Sequence, residues 1–351
     1  MSIPNTFHEG LQTMILSPGK IPPEILEKTV FKFLGATRSD VIFGPAMGED
    51  ASIVSDGCKL LALHGDPISG ANEKIGWIAM NVATNDIATR GVRPRWTLSC
   101  IMLPEGSDEG LLERICRDMS AAAEKLDVSI IGGHTEVTPG LDHPLVIVFS
   151  MGVVEDRGYV MCRGAKPGSK IILSKSIGIE GTAVLASDRG KPLASKFGDE
   201  FVRRAVTYFD RLSVVKEAMI AFEFGGVQAM HDPTEGGVSN GLHEVADASG
   251  TGFRVYEEAL AIGQETAEIC RFFEIDPLNL ISSGSLLIIA KQDKATKIID
   301  KLQENGVDAS IIGEVLADAE CRTIIRRNGS SEPLARPLSD ELWTALKKDV
   351  N

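Results

Sequence analysis

The sequence predicts an α+β protein made of two α/β domains, and three observations carry that expectation. The chain has 351 residues, more than one hydrophobic core comfortably serves, so two domains are expected. In the first half two long helical patterns stand among several strand-like runs, and some of those runs are adjacent in sequence, which is α+β rather than strict alternation. Third, the composition turns to glycine, proline and charge at Arg163-Gly164-Ala165-Lys166-Pro167-Gly168-Ser169-Lys170, the signature of a connection. The expected limits are 1–158 for an N-terminal domain opened by a mobile arm (1–21), 159–340 for a C-terminal domain, and 341–351 for a short terminal helix and tail.

Each element follows from local pattern. Pro22 and Pro23 open a helix whose Ile25, Leu26, Val30, Phe33 and Leu34 recur at helical spacing. Short strands are expected near 52–54 and 59–64. A long helix runs from Lys74 to Arg90 and is stopped by Gly91 and Pro94. Residues 96–103 read as a buried strand. A helix over 109–126 carries Leu112, Ile115, Met119 and Ala122 on one face. Strands 128–131 and 145–154 close the first half. The second half reads as strand 171–174, helices near 180–187, 197–209 and 213–224, strand 226–230, helix 238–248, strand 285–291, helix 293–305, and strands 309–315 and 322–327. Residues 329–340 read as surface coil.

Composition excludes several function classes. The formal net charge is −13, which repels nucleic acid and admits a polyphosphate only through a bridging cation. The longest nearly uninterrupted apolar run, Leu145 to Val154, falls well short of the roughly 20 residues of a membrane span. Cys58, Cys100, Cys116, Cys162, Cys270 and Cys321 form no CxxC and no disulfide framework, and no signal peptide pattern opens the chain, so a cytoplasmic protein is expected. Gly164–Lys170 only imitates a Walker loop, lacking the hydroxyl residue after the lysine. The GxSxG at Gly237–Gly241 lies inside an expected helix rather than on a strand-to-helix elbow, which argues against a serine hydrolase.

The informative feature is a series of acidic residues at element ends. Gly48-Glu49-Asp50-Ala51 enters a strand, and Asp66 follows the strand 59–64. Asp86 lies on the stripe of Ile75, Ile78, Ala79 and Val82, with Asn81 and Asn85 alongside. An ionised aspartate there costs several kcal/mol unless a cation or hydrogen bonds compensate it. Gly132-Gly133-His134-Thr135-Glu136 follows strand 128–131, where two glycines can aim backbone N–H groups at an anion, although a plain hairpin explains that segment equally well. His231-Asp232-Pro233-Thr234-Glu235-Gly236-Gly237 leads into a helix whose first N–H groups form a natural phosphate seat. Singly, most of these also fit ordinary turns and caps. As a set, their hard oxygen ligands suit Mg²⁺ carrying a polyphosphate.

In this order the motifs resemble the superfamily of aminoimidazole ribonucleotide synthetase, selenophosphate synthetase, thiamine-monophosphate kinase and the hydrogenase maturation factor HypE, with HypE-like proteins nearest. Gly164-Ala165-Lys166-Pro167-Gly168 belongs to the same set, and the resemblance spans roughly residues 18 to 327. It implies a PurM/HypE-like two-domain fold and a homodimer whose N-terminal strands form a shared barrel around cleft-bound ATP. Under it Asp50, Asp66, Asp86 and Asp232 are Mg²⁺ ligands, and Asn85, Gly133, Thr135, Glu136, Thr234, Gly236 and Gly237 line the nucleotide site. Lys20 takes the place of a reactive or phosphate-binding lysine found in some relatives. The implied activity is phosphoryl activation of a small-molecule or protein acceptor. A nucleotide-binding maturation partner without turnover and a small-metabolite kinase are the alternatives.

Two departures bear on the acceptor. HypE ends in Pro-Arg-Ile-Cys, whose terminal cysteine accepts the carbamoyl group, whereas this sequence ends in Lys347-Lys348-Asp349-Val350-Asn351. Where HypE has Glu-Gly, this chain has Ser282-Ser283-Gly284-Ser285.

Overall fold

A computed structural model describes residues 20–21, 23–46, 48–71 and 73–348. Residues 1–19 of the expected arm and Pro22 lie outside the described residues.

After a short helix α1 (Pro23–Lys28), six strands form the first sheet: β1 (Val41–Phe43), β2 (Ser52–Ser55), β3 (Leu60–Ile68), β4 (Pro94–Leu103), β5 (Ser129–Val137) and β6 (Leu145–Val153). Their spatial order is β1-β2-β3-β6-β4-β5. Only β4 and β5 run parallel, and such a pair needs a crossover. Helix α3 (Glu109–Leu126) supplies it. Helix α2 (Ile75–Ala88) and α3 cover one face of the sheet, where Ala79, Met80, Ile101, Ile115, Met119 and Val148 pack together. Gly76 permits the close crossing, because a Cβ there would stand 2.4 Å from the Ile115 carbonyl oxygen.

The second sheet has seven strands in the order β13-β12-β9-β11-β7-β10-β8. They are β7 (Lys170–Ser174), β8 (Val227–His231), β9 (Gly252–Tyr256), β10 (Leu287–Ala290), β11 (Ala309–Leu316), β12 (Arg322–Ile325) and β13 (Ser331–Pro333). Around it lie α4 (Ile179–Asp188), α5 (Gly190–Phe197), α6 (Asp199–Val206), α7 (Val215–Phe224), α8 (Gly237–Ser249), α9 (Gln264–Phe273), α10 (Gln292–Glu304) and α11 (Glu341–Lys347). Helix α2 joins the halves: Ile78 and Val82 pack into the cluster of Ile179, Ala183 and Leu212, and Ala88 into that of Ala218 and Met230. All but one of its residues are buried, as expected of a helix with partners on every side.

Several expectations are corrected. The first helix stops at Lys28, and Val30, Phe33 and Leu34 stay exposed, Phe33 at 84%; helical spacing alone does not supply a packing partner. The strand expected over 128–131 continues to Val137 because the parallel ladder with β4 continues through Gly132 and Gly133. Residues 96–103 are buried on one face only, with Trp96 and Leu98 exposed on the other. The single helix over 197–209 is instead α6 followed by a 3-10 turn over Thr207–Arg211, and the unanticipated α5 precedes it across Gly198 at φ 88°. Strand β9 and helix α9 were not anticipated. The coil over 329–340 includes β13, and its Leu334 and Asp340 are buried. Among the described residues no helix is long and apolar enough to cross a membrane.

Candidate functional site

Four elements deliver the four aspartates to one place between the sheets. Asp50 precedes β2, Asp66 lies within β3, which runs past the expected end at residue 64 to Ile68, Asp86 lies in the last turn of α2 and Asp232 follows β8. Two ligand-like groups form there, Asp50–His231–Asp232 and His64–Asp66–Asp86, each with donor atoms within 4.8 Å of one another. The groups also act on each other: burial first, then the charges of Asp66 and Asp50, push the Asp86 carboxyl well above the usual range. Burial, with Asp86 and Asp50, does the same to Asp232. Asp66 is raised by burial.

The Asp50 corner is internally compensated. Arg90, fully buried, donates through Nη2 to Asp50 Oδ2 at 2.9 Å and to the Met230 carbonyl at 3.3 Å, and through Nη1 to Glu49. Glu49 also accepts the backbone N–H of Cys162 (3.0 Å) and of Arg163 (3.2 Å), tying the loop after β6 to the cleft. His231 Nδ1 meets Asp50 Oδ1 at 2.8 Å, and its Nε2 meets Glu244 Oε2 at 2.8 Å. Despite the opposing pull of burial, His231 and Arg90 hold Asp50 below the usual carboxylate range. Each Asp50 oxygen keeps a second lone pair for a cation.

The Asp232 corner is the opposite. Asp232 is 1% exposed, and neither carboxylate oxygen has a hydrogen-bond partner. His64 Nε2 stands 3.1 Å from Asp86 Oδ2 but lacks hydrogen-bond geometry. Buried oxygens of this kind are destabilising alone and are what a hard cation satisfies.

Lys20 reaches the same cleft. Its backbone N–H donates to Glu235 Oε2 at 2.9 Å, and its Nζ stands 3.3 Å from Glu244 Oε1. Although desolvation opposes it, Glu244, Glu235, Asp50 and Asp66 keep the ammonium protonated, so here it acts as a fixed cation.

The other expected site residues are placed differently. Asn85 is fully buried and bridges α2 to the turn before α7, donating to the Leu212 carbonyl at 2.9 Å and accepting from Val214 N–H at 2.8 Å. Gly133, Thr135 and Glu136 lie on the exposed edge strand β5. The ladder aligns Asp66 with Val148, Val148 with Ser99, and Ser99 with Gly133, so Gly133 is three strand spacings, about 14 Å, from Asp66. Gly133 has φ 152°, and a Cβ would stand 1.8 Å from the Ser99 carbonyl oxygen; the strand pairing itself requires glycine. Thr234 accepts the Gly237 N–H at 2.9 Å through its carbonyl, and the Gly236 N–H donates to Asp340 Oδ2 at 2.6 Å. Two N–H groups of the expected phosphate seat thus have partners in the chain.

Sequence reasoning quoted Glu49 and His231 within their motifs without giving them a role, and missed Arg90, His64 and Glu244. His64 was accessible, since residues two apart in a strand share a face with Asp66. Arg90 falls four residues after Asp86, on the same helical face. A hollow of ≈ 620 Å³ opens beside the cluster, lined by Asp50, His64, Gly65, Leu98 and Phe149.

Comparison with known proteins places this geometry in a family. Residues 48–154 match the N-terminal domain of the AIR synthase related proteins, and residues 166–326 match their C-terminal domain. A putative hydrogenase expression/formation protein of Methanocaldococcus jannaschii is 26% identical over 332 residues, covering 91% of this chain and 96% of that one. The carbamoyl dehydratase HypE of Rhizobium leguminosarum bv. viciae is 31% identical over 256 residues, 72% of this chain and 71% of its own. Among solved structures, a HypE–HypF complex matches with TM-score 0.72 at 25% identity, covering 89% of this chain and 99% of that one. HypE in complex with ATP matches in fold with TM-score 0.70 at 23% identity, covering 93% and 98%. With both domain models matched in order across most of the chain, the protein belongs to the AIR synthase related family, the PurM/HypE superfamily, among its HypE-like members.

Proposed function

We propose that the chain binds Mg–ATP in the four-aspartate cleft and uses it to phosphorylate, and so activate, an acceptor that is a separate molecule. The observation that carries this reading is Asp232, a buried carboxylate with two unpartnered oxygens beside Asp86 and Asp50. Such a group fits a hard divalent cation, and Asp50, Asp66, Asp86 and Asp232 would hold it. Bound there, Mg²⁺ would supply charge neutralisation of the phosphates. The chain's own residues do the rest: Arg90 and His231 orient Asp50, while Lys20 adds fixed positive charge near the opening. The ATP-bound HypE of like fold, and a thiamine monophosphate kinase complexed with AMPPCP and TMP (TM-score 0.70, 20% identity), support a nucleotide.

The reading divides the chain at about residue 158, with the cleft between the halves. The homodimer belongs to the same proposal. Edge strand β5 has a free side, and beside it the sheet exposes Leu98, Ile131, Val137 and Phe149, the last at 48%, the kind of face that seeks a partner. In that assembly Gly133, Thr135 and Glu136 would serve the partner's cleft.

A second reading, a nucleotide-binding maturation partner without turnover, is favoured by one observation: Asp340 occupies the Gly236 N–H. Titration calorimetry with a non-hydrolysable ATP analogue, with and without Mg²⁺, tests the main proposal. Binding that requires the metal is the expected result, and no binding at millimolar analogue would sink it. ADP release then separates the two readings.

A further inference from the structure

Strand β3 turns one face toward α2. On that face Ala62 packs with Ile87 of α2, and Ile68 packs with Ile75 and Ala79. Between them, at the two positions that share the face, stand His64 and Asp66, and α2 answers with Asp86. Two ionisable side chains thus interrupt the apolar row that the strand otherwise presents to the helix. The donor atoms of His64, Asp66 and Asp86 all lie within 4.8 Å of one another. His64 also lines the hollow of ≈ 620 Å³, so the group borders an open space.

The two histidines of the cleft are not alike. His231 spends Nδ1 on Asp50 Oδ1 and Nε2 on Glu244 Oε2, both at 2.8 Å, so neither ring nitrogen keeps a lone pair for a metal. His64 Nε2 has no hydrogen-bond partner and stands 3.1 Å from Asp86 Oδ2. Adjacent donors on an ion bound at roughly 2.1 Å stand about 3 Å apart, so this pair already has the spacing an ion sets. The charge balance points the same way. Lys20 pairs with Glu244, and Arg90 with Glu49 and Asp50, which leaves Asp66, Asp86 and Asp232 without a lysine or arginine partner among the described residues. Asp232 is 1% exposed with both oxygens unpartnered, and Asp86 is the charge that acts on it most. Three bare carboxylates exceed what one dication neutralises. An imidazole nitrogen is a poor ligand for Mg²⁺ and a good one for the first-row transition dications.

We propose that His64, Asp66 and Asp86 form a second cation seat, in which the His64 Nε2 lone pair selects a first-row transition dication over Mg²⁺. The seat lies beside the cation held at Asp50 and Asp232, and Asp86 is the carboxylate between the two. This inference rests on the reading of the cleft as a cation site, and its test needs no nucleotide.

The test uses the full chain stripped with a chelator, and Mn²⁺ alone as the probe. At one equivalent, pulsed electron paramagnetic resonance of the wild type shows a directly bound nitrogen-14 in the Mn²⁺ signal. His64→Gln, at a part-exposed position, abolishes that coupling and weakens Mn²⁺ binding at least about tenfold. The same variant binds the ATP analogue with Mg²⁺ within about twofold of wild type. A wild-type Mn²⁺ signal without nitrogen coupling, which needs no variant to read, overturns the seat. So does a coupling that persists in His64→Gln, or wild-type calorimetry in which Mg²⁺ alone binds as tightly as Mn²⁺. Loss of Mg-dependent analogue binding in His64→Gln makes His64 part of the nucleotide's own metal site and overturns a second seat. Nitrogen-coupled Mn²⁺ in a protein that binds no analogue upholds the seat and sinks the Mg–ATP reading alone.

Discussion

At the Asp50 corner of the cleft Arg90 and His231 each take one carboxylate oxygen, whereas at the Asp232 corner both oxygens are sealed from solvent with nothing to accept from. The two corners share a cleft, Asp232 being the more deeply buried, and differ in whether the chain supplies its own cation. A buried carboxylate paired at full hydrogen-bond geometry is a structural member that also points a lone pair outward. One without a pair destabilises the fold until something else binds. The difference teaches which groups hold the site in shape and which wait for a ligand.

The largest effect that would break this contrast is at Arg90. Arg90→Met leaves Glu49 and Asp50 buried without their guanidinium, and the expected loss is about 3–5 kcal/mol, read as a lower denaturant midpoint. A midpoint shift of under 1 kcal/mol would show that the Asp50 corner is not held by this arginine. Next come Asp86→Asn and Asp232→Asn, which remove a ligand charge and little volume. Each is expected to weaken Mg-dependent analogue binding by about 100-fold, near 2.7 kcal/mol, while the metal-free fold becomes more stable. Retained affinity in Asp86→Asn would mean that α2 contributes no ligand.

A pH series sharpens the same comparison. The Asp232 carboxyl is raised on folding, so the metal-free protein pays no penalty at pH below the unfolded value of about 3.9. It loses stability as pH climbs from there through the folded value. The stability gap between Asp232→Asn and wild type should therefore widen between pH 4 and 8, and saturating Mg²⁺ should close it. A gap that is flat with pH would place the charge elsewhere. The smallest effect on the fold is expected from Ile131→Lys on β5, within about 0.5 kcal/mol for the single chain. Sedimentation should nonetheless show a dimeric wild type and a monomeric variant; two monomers, or two dimers, would remove the sheet face from the interface.

Much of the candidate site was legible because its carboxylates sit at element ends, where local patterns are strong. Asp86 stood out as a charge on an apolar stripe, and Asp232 as an acid in a glycine-rich helix entry. Gly133 and Asn85 show the limit. Glycine pairs read as an anion nest or as a hairpin from the same letters, and neither reading contains the ladder that pairs Gly133 with Ser99. Asn85 has the polarity of a ligand-binding residue, yet both its polar atoms cross-link α2 to the Leu212–Val214 turn. The change to serine at Ser282–Ser285 read as the loss of a carboxylate, and Glu180, 103 residues earlier, was invisible as its neighbour.

By itself the sequence determined the α+β class, the order of acidic motifs and the family they belong to, because helical and strand periodicity and glycine context are local properties. Tertiary structure alone decided which aspartates are neutralised by Arg90 and His231 and which are bare, that Asp340 lies on Gly236, and that Glu180 faces Ser283. Those outcomes depend on burial and on contacts between residues far apart in the chain. Desolvation and pairing are properties of a position in space, and no window of sequence contains them.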